Sequence, residues 1–260
     1  MSVKRAPEVI LITGASGGIG AALARAYAAP GVRLLLLGRD QARLTATEDA
    51  CRALGAATET VVLDVTDRAA AQATLRELDD RHPIDLAIAN AGVSTGQPPE
   101  GGLEPQDRAL DTLTINVMGT AHTLAPLVER MSARGRGQLC LMGSLAARYG
   151  LPSCPAYSAS KAAVEIYGEG LRGHLRPYGV GVTVVSPGFV ESAMSDRIVG
   201  PAPLKLPAVR AARVVKRALE RDRARVSFPF PLNLGVWCLA RLPDPLARPA
   251  AQLFAFRVRS

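Results

Sequence analysis

Six short runs of β-branched and leucine-rich residues, at 9–13, 32–38, 58–64, 85–90, 137–144 and 180–186, alternate with alanine-rich segments of helical length. Those segments lie near 19–29, 41–54, 67–81, 106–133 and 156–176. Strand, crossover helix and next strand alternate in this way when the strands lie parallel in one sheet and the connections are right-handed. Runs such as Leu34 to Leu37 offer no polar side, so they must be covered on both faces. The expected fold is α/β, a doubly wound parallel sheet with helices on both faces. Local punctuation agrees: Pro30-Gly31 stops the first helix, while Asp40 and Asp67 can cap the second and third.

The 260 residues allow one large α/β domain or two small ones. No internal repeat or low-complexity linker divides them. The composition shifts once, into a Pro- and Arg-rich end after about Arg225. The expected division is a domain at 1–225 and a C-terminal extension at 226–260. The first apolar run comes too early to follow a cleaved signal segment, and the longest uncharged stretches are too short and too broken for a membrane span. Cys51, Cys140, Cys154 and Cys238 form no CxxC pair, so reduced thiols in a cytoplasm are expected. His82, His122 and His174 share no face or acidic cluster, and no metal site is expected. Residues 1–204 hold 19 basic and 20 acidic side chains, and residues 205–260 hold 12 and 3. The net charge of +8 is therefore a property of the end of the chain. Nucleic-acid binding through that end has no motif behind it.

Gly14, Ser16, Gly17, Gly18, Ile19 and Gly20 connect the first strand to the first helix. Glycines there allow a tight turn and a close backbone approach, and the helix N-terminus offers free N–H groups to a pyrophosphate. Taken alone, such a turn could also be only a tight strand-to-helix connection. Farther on, Tyr157 and Lys161 lie four apart in a helical segment, so both project from one face. An unperturbed tyrosine titrates near pKa ~10. Acid–base work near neutrality would need that value lowered to about 7, and a neighbouring ammonium could supply much of the fall.

The spacing TGxxxGxG, Asn90-Ala91-Gly92 after the fourth strand, Ser144 after the fifth, Tyr157 and Lys161, and Pro187-Gly188 after the sixth resemble, in order, the short-chain dehydrogenase/reductase family. The resemblance covers residues 7–225. It implies a Rossmann-type domain that moves a hydride between a nicotinamide dinucleotide and an alcohol or carbonyl, as a homodimer or homotetramer. It implies that Tyr157 exchanges the proton of the substrate oxygen, that Ser144 hydrogen-bonds that oxygen, that Lys161 also binds the nicotinamide ribose, and that Asn116 completes a proton relay. The other reading of Asn116 is a helical asparagine bonded to nearby backbone. By the same resemblance Asp64 and Val65 lie near the adenine, Asn90 near the ribose side, and Val190 and Ser192 near the carboxamide, with Ala91, Gly92, Pro187 and Gly188 also binding the cofactor. Ser192 stands where the family more commonly has threonine. Asp64 has a second reading as a strand-end residue.

In that family an Asp closing the second strand usually accepts hydrogen bonds from the ribose of NAD. Here the position is Gly38, and Arg39 follows it. Arg39 can pair with the 2′-phosphate of NADP, so NADP is expected ahead of NAD. Asp40 and the uncharged Gly17 argue the other way, and the alternative for Arg39 is a solvated loop charge. The substrate is expected between segments 93–102, 145–156 and 189–206, against Leu145, Tyr149, Leu151, Phe189 and Met194. Arg148 and Arg197 are candidates for meeting an acidic group, with solvated charges as the alternative. The tail joins apolar residues, among them Phe228, Phe230, Trp237, Leu253, Phe254 and Phe256, to Arg241, Arg248, Arg257 and Arg259. Two readings stay open: burial over the pocket or at a subunit interface, or peripheral contact with an anionic membrane's inner face. A sensor whose NADP occupancy controls a protein partner is the rival to an enzyme.

Overall fold

A computed structural model describes residues 6–252 and 256–259; Leu253 and Phe254 of the tail lie outside them. The chain runs β1 (Val9–Thr13), α1 (Gly18–Tyr27), β2 (Arg33–Gly38), α2 (Gln41–Arg52), β3 (Ala57–Val62), α3 (Arg68–Arg81), β4 (Leu86–Ala89) and α4 (Gln106–Leu113). After a π turn (Thr114–Met118) come α5 (Gly119–Arg134), β5 (Gly137–Met142), α6 (Pro155–Leu175), β6 (Val180–Pro187), β7 (Ile198–Val199) and α7 (Ala208–Glu220). The last elements are β8 (Arg225–Phe228), α8 (Leu232–Leu239), α9 (Asp244–Gln252) and β9 (Arg257–Val258). Seven parallel strands form one sheet in the order β3-β2-β1-β4-β5-β6-β8. The order reverses direction at β1 and β4, which opens a crevice beyond the carboxyl ends of those strands.

The leucine run of β2 shows why the sheet must be covered twice. Leu34 and Leu36 join Ile10 and Ile12 in a core with Leu23 of α1, Leu44 of α2 and Val215 of α7. Leu35 and Leu37 join Leu11 in a core on the other face, with Leu75 of α3, Leu127 of α5 and Val164 of α6. Alternate residues therefore feed opposite layers, and burying each leucine fully stabilises by ~1.5–3 kcal/mol. The expected caps form: Asp40 Oδ1 accepts from the Arg43 N–H at 3.1 Å, and Asp67 Oδ1 from the Ala70 N–H at 3.0 Å.

Three features differ from the sequence expectation. The helix expected over 106–133 is interrupted at 114–118, where the π turn carries Asn116. A helix absent from the sequence reading, α7, packs on α1 through Ala211, Ala212, Val215 and Leu219. The sheet has a seventh strand, in which Arg225 pairs with Val184 and Phe228 with Pro187, so that strand spans the expected boundary between 225 and 226. Beyond it, Ile198 of β7 pairs antiparallel with Val258 of β9. The Val258 N–H also donates to the Gln97 carbonyl at 2.9 Å, bringing the end of the chain back over the crevice.

Candidate active site

The turn after β1 is held from below. Asn90 Nδ2 donates to the carbonyls of Thr13 (3.0 Å) and Gly14 (3.2 Å), and Thr13 Oγ1 accepts from the N–H groups of Asn90 and Ala91 at 3.1 Å each. A Cβ on Gly14, whose φ is +66°, would meet Ala91 Cα at 2.9 Å, and one on Gly20 would collide with the Gly14 carbonyl oxygen. The first turn of α1 bears no acidic residue, and its N-cap, Gly17, makes no side-chain hydrogen bond. Its N–H groups are thus left for an anion. The residues fit a dinucleotide pyrophosphate.

From this turn a cleft of about 570 Å³ runs to Tyr157 and beyond. Pro155 opens α6 at a position that needs no N–H donor, and the helix then presents Tyr157 and Lys161 to the cleft. Lys161 Nζ lies 5.8 Å from the centre of the Tyr157 ring and donates to the Met142 carbonyl at 2.9 Å. Ser144, just past β5, lines the same cleft as Tyr157, and its Oγ accepts from the Ala146 N–H at 3.2 Å and donates to the Pro187 carbonyl at 3.5 Å.

The lowered phenol pKa expected from the sequence is not found. Burial pushes the Tyr157 hydroxyl up to about 12, with the Ser144 hydroxyl opposing and the nearby Cys154 adding to the rise. Burial also lowers Lys161 to about 8. In so enclosed a place, removing a charged form from water outweighs a cation that sits beside the ring and bonds elsewhere.

A family model described as short chain dehydrogenase matches residues 8–201. The chain belongs to that family. It is 38% identical over 243 residues to an oxidoreductase of Myxococcus xanthus (strain DK1622), covering 93% of this chain and 95% of that one. Among solved structures, NAD+-bound xylitol dehydrogenase is 32% identical over 71% of each chain, with a TM-score of 0.66. A short-chain dehydrogenase from Sphingobium yanoikuyae in complex with NADPH is 26% identical with a TM-score of 0.77, covering 95% of this chain and 94% of that one. The relatives thus include complexes with either dinucleotide.

This short-chain dehydrogenase brings nearly all of the expected site residues to one cleft. Gly14, Ser16, Gly18, Ile19, Arg39, Asp64, Val65, Asn90, Ala91 and Gly92 line one end of it. Ser144, Tyr157, Lys161, Pro187, Gly188, Val190 and Ser192 line the rest. Gly20 and Asn116 do not reach the surface of the cleft. Asn116, fully buried, accepts from the Val93 N–H (2.8 Å) and donates to the Val93 carbonyl (3.0 Å) and to Ser160 Oγ (2.9 Å). Ser160 Oγ in turn donates to the Tyr157 carbonyl at 2.7 Å. Asn116 thus ties the loop after β4 to the helix that carries Tyr157, a bracing the sequence reading included only as backbone bonding.

Several of the expected side chains have partners of their own. The Asn90 amide holds the glycine turn, and Ser192 Oγ accepts from the Ser195 N–H at 3.1 Å within its own loop. Arg148 Nε lies 3.0 Å from Glu165 Oε2, and Arg197 Nη2 donates to the Ser94 carbonyl at 2.8 Å. Neither arginine lines the cleft. Arg39 Nη1 lies 3.9 Å from Asp64 Oδ2, both well exposed. The Asp64 carboxyl is held below its usual range chiefly by the Thr66 N–H. One residue the sequence reading did not select is Arg43, whose guanidinium covers Gly17 at the same end. Its position four after Arg39, in the first turn of a helix capped by Asp40, was the available signal.

Proposed function

We propose that this oxidoreductase interconverts an alcohol and a carbonyl compound with NADP(H), and that Tyr157 is its general acid and base. One observation carries the reading: Tyr157 and Lys161, one turn apart on α6, face the cleft that starts at the glycine turn, and Ser144 lines it with them. When bound, the nicotinamide supplies or accepts the hydride. In the reducing direction Tyr157 gives its hydroxyl proton to the carbonyl oxygen, and in the oxidising direction it takes the alcohol proton back. Ser144 Oγ hydrogen-bonds the same oxygen and fixes it beside Tyr157. The Lys161 ammonium favours the phenolate electrostatically and is placed to hold a ribose hydroxyl. Asn116 braces this arrangement from behind and completes the proposed relay.

Three features support NADP over NAD. No carboxylate closes β2, Arg39 and Arg43 both stand at the adenosine end, and the Asp40 carboxylate is engaged in capping α2. The test is dinucleotide consumption with NADPH and NADH across ketones, aldehydes, sugars, steroids and acyl thioesters, for wild type and Tyr157→Phe. Turnover that disappears in the variant supports the reading. No turnover anywhere, with NADPH still bound, supports the sensor instead.

The same reading takes residues 1–225 as the catalytic domain and 226–260 as an extension of it, in a cytoplasmic homo-oligomer. Exposed Leu110, Ile166 and Tyr167 on the neighbouring helices α4 and α6 support pairing with a second copy. Exposed Phe230, Leu234, Trp237 and Leu246, with Arg241 stacked on Trp237 at 3.6 Å, support peripheral contact with an anionic membrane surface. Sedimentation of the free protein and co-sedimentation with anionic liposomes test the two.

A further inference from the structure

The cleft divides sharply by charge. Arg39, Asp40, Arg43 and Asp64 stand at the adenosine end, and among the described residues Lys161 is the only other charged one that lines it. Past Ser144 and Tyr157 the described wall residues carry no charge. Of the arginines next to wall residues in sequence, Arg148 lies against Glu165, while Arg197, Arg241 and Arg257 donate to the carbonyls of Ser94, Trp237 and Pro99. A carboxylate or phosphate placed there would lose its water and meet no countercharge.

What closes this end comes from beyond the sheet. Leu232, Val236 and Leu239 of α8 and Phe256 of the tail line the cleft together with Leu145 and Phe189. Phe256 packs edge-on against Phe189 with ring centres 5.7 Å apart, and the pairing of β9 with β7 holds it in place. Leu239 is buried against Ala247 and Ala251 of α9, with Tyr149 packed on the group. Helix α8 has no charged residue along its whole length. Its Leu232, Val236 and Leu239 form pocket wall, while Leu234 and Trp237 are exposed.

We propose that the substrate is an uncharged ketone or secondary alcohol bearing an extended apolar group, and that α8, through Leu232 and Val236, sets how long that group can be. The assignment rests on the oxidoreductase reading above and deepens it.

The test uses the full chain with NADPH and a series of methyl ketones, from acetone through methyl hexyl ketone to methyl decyl ketone, with pyruvate as the charged comparison. The expected result is a kcat/KM that rises about fourfold for each methylene until the chain meets α8, the fold-change equivalent to about 0.8 kcal/mol. Pyruvate should be at least about a hundredfold poorer than methyl hexyl ketone. Val236→Phe should shift the ratio of long-chain to short-chain kcat/KM toward the short ketones by about tenfold. A second readout needs no turnover: Trp237, the only tryptophan in the chain, lies on α8. Its emission should change saturably when methyl decyl ketone is added to Tyr157→Phe, and should not respond to pyruvate. Turnover without chain-length dependence, or with pyruvate preferred, overturns the substrate class and leaves the oxidoreductase reading standing. A saturable Trp237 response with no turnover of any ketone by the wild type overturns the oxidoreductase reading and supports the apolar site. The absence of both overturns the two together.

Discussion

Arg43 lays its guanidinium over Gly17, in the space that a side chain at position 17 would fill. The glycine turn carries no cation of its own, yet a cation reaches the same place from α2, one turn past Arg39. Arg43→Ala should weaken NADPH binding by about tenfold, within the range of a charge-assisted hydrogen bond made at an exposed site. NADH binding should hardly change. Arg39→Ala should act in the same direction. Nucleotide fluorescence titrations check both, and an equal loss for the two dinucleotides would place Arg43 on the pyrophosphate instead.

Tyr157→Phe removes the phenol hydroxyl that faces the cleft beside Ser144 and Lys161. Turnover should fall by orders of magnitude, on the scale of ~10²–10⁴ for a general acid–base group. The dissociation constant for NADPH should stay within about threefold of wild type, because the phenol adds little to the glycine turn's hold on the dinucleotide. Steady-state rates and equilibrium binding measured on one preparation decide this.

Burial holds Lys161 at about 8, so its ammonium is present below that pH and lost above it. Carbonyl reduction should be level near neutrality and decline as the pH rises through about 8, and Lys161→Met should lack that descending limb. The same depression has a sign for stability. An unfolded lysine titrates near ~10.4, so between about 8 and 10 the unfolded chain holds the extra proton and this residue's contribution to stability rises with pH. Buried Cys51, Cys140 and Cys154, whose pKa values are raised, act in the opposite direction. The readout is therefore the difference between Lys161→Met and wild type in urea unfolding. The variant's advantage should be largest at neutral pH and should shrink toward pH ~10.

Asn116→Ala strips both backbone groups of the half-buried Val93 of their side-chain partner. The expected loss is about 1–3 kcal/mol of stability, measured by urea denaturation. NADPH affinity should change little, since Asn116 lies behind the cleft wall. A stability equal to wild type would mean that water replaces the amide.

Most of the fold could be read from residue pattern. Strands buried on both faces leave a strong mark, because every position of Leu34 to Leu37 must be apolar and no surface run looks like that. The caps at Asp40 and Asp67 were legible for a similar reason: one side-chain oxygen three residues before a free N–H is a purely local device. The positions of Tyr157 and Lys161 also followed from sequence, since helical spacing alone puts them on one face. By contrast, β8 is an edge strand of four residues with Arg225 exposed. Nothing local distinguishes it from a loop, and its pairing with β6 supplies the reason it is a strand. Helix α7 had a readable apolar face, at Ala211, Ala212, Val215 and Leu219, which the reading passed over.

The sequence by itself determined the sheet's layering, the glycine turn and the spacing of the phenol from the amine, because each depends on neighbours a few residues apart. Only the tertiary structure decided which charges meet. It put Arg43 over Gly17, turned Arg148 toward Glu165, drew Asn116 into the bracing of Val93 and brought Phe256 against Phe189. It also raised the Tyr157 pKa where the sequence suggested a fall. Desolvation and long-range pairing depend on what surrounds a group from every direction, and the linear spacing of residues does not contain that information.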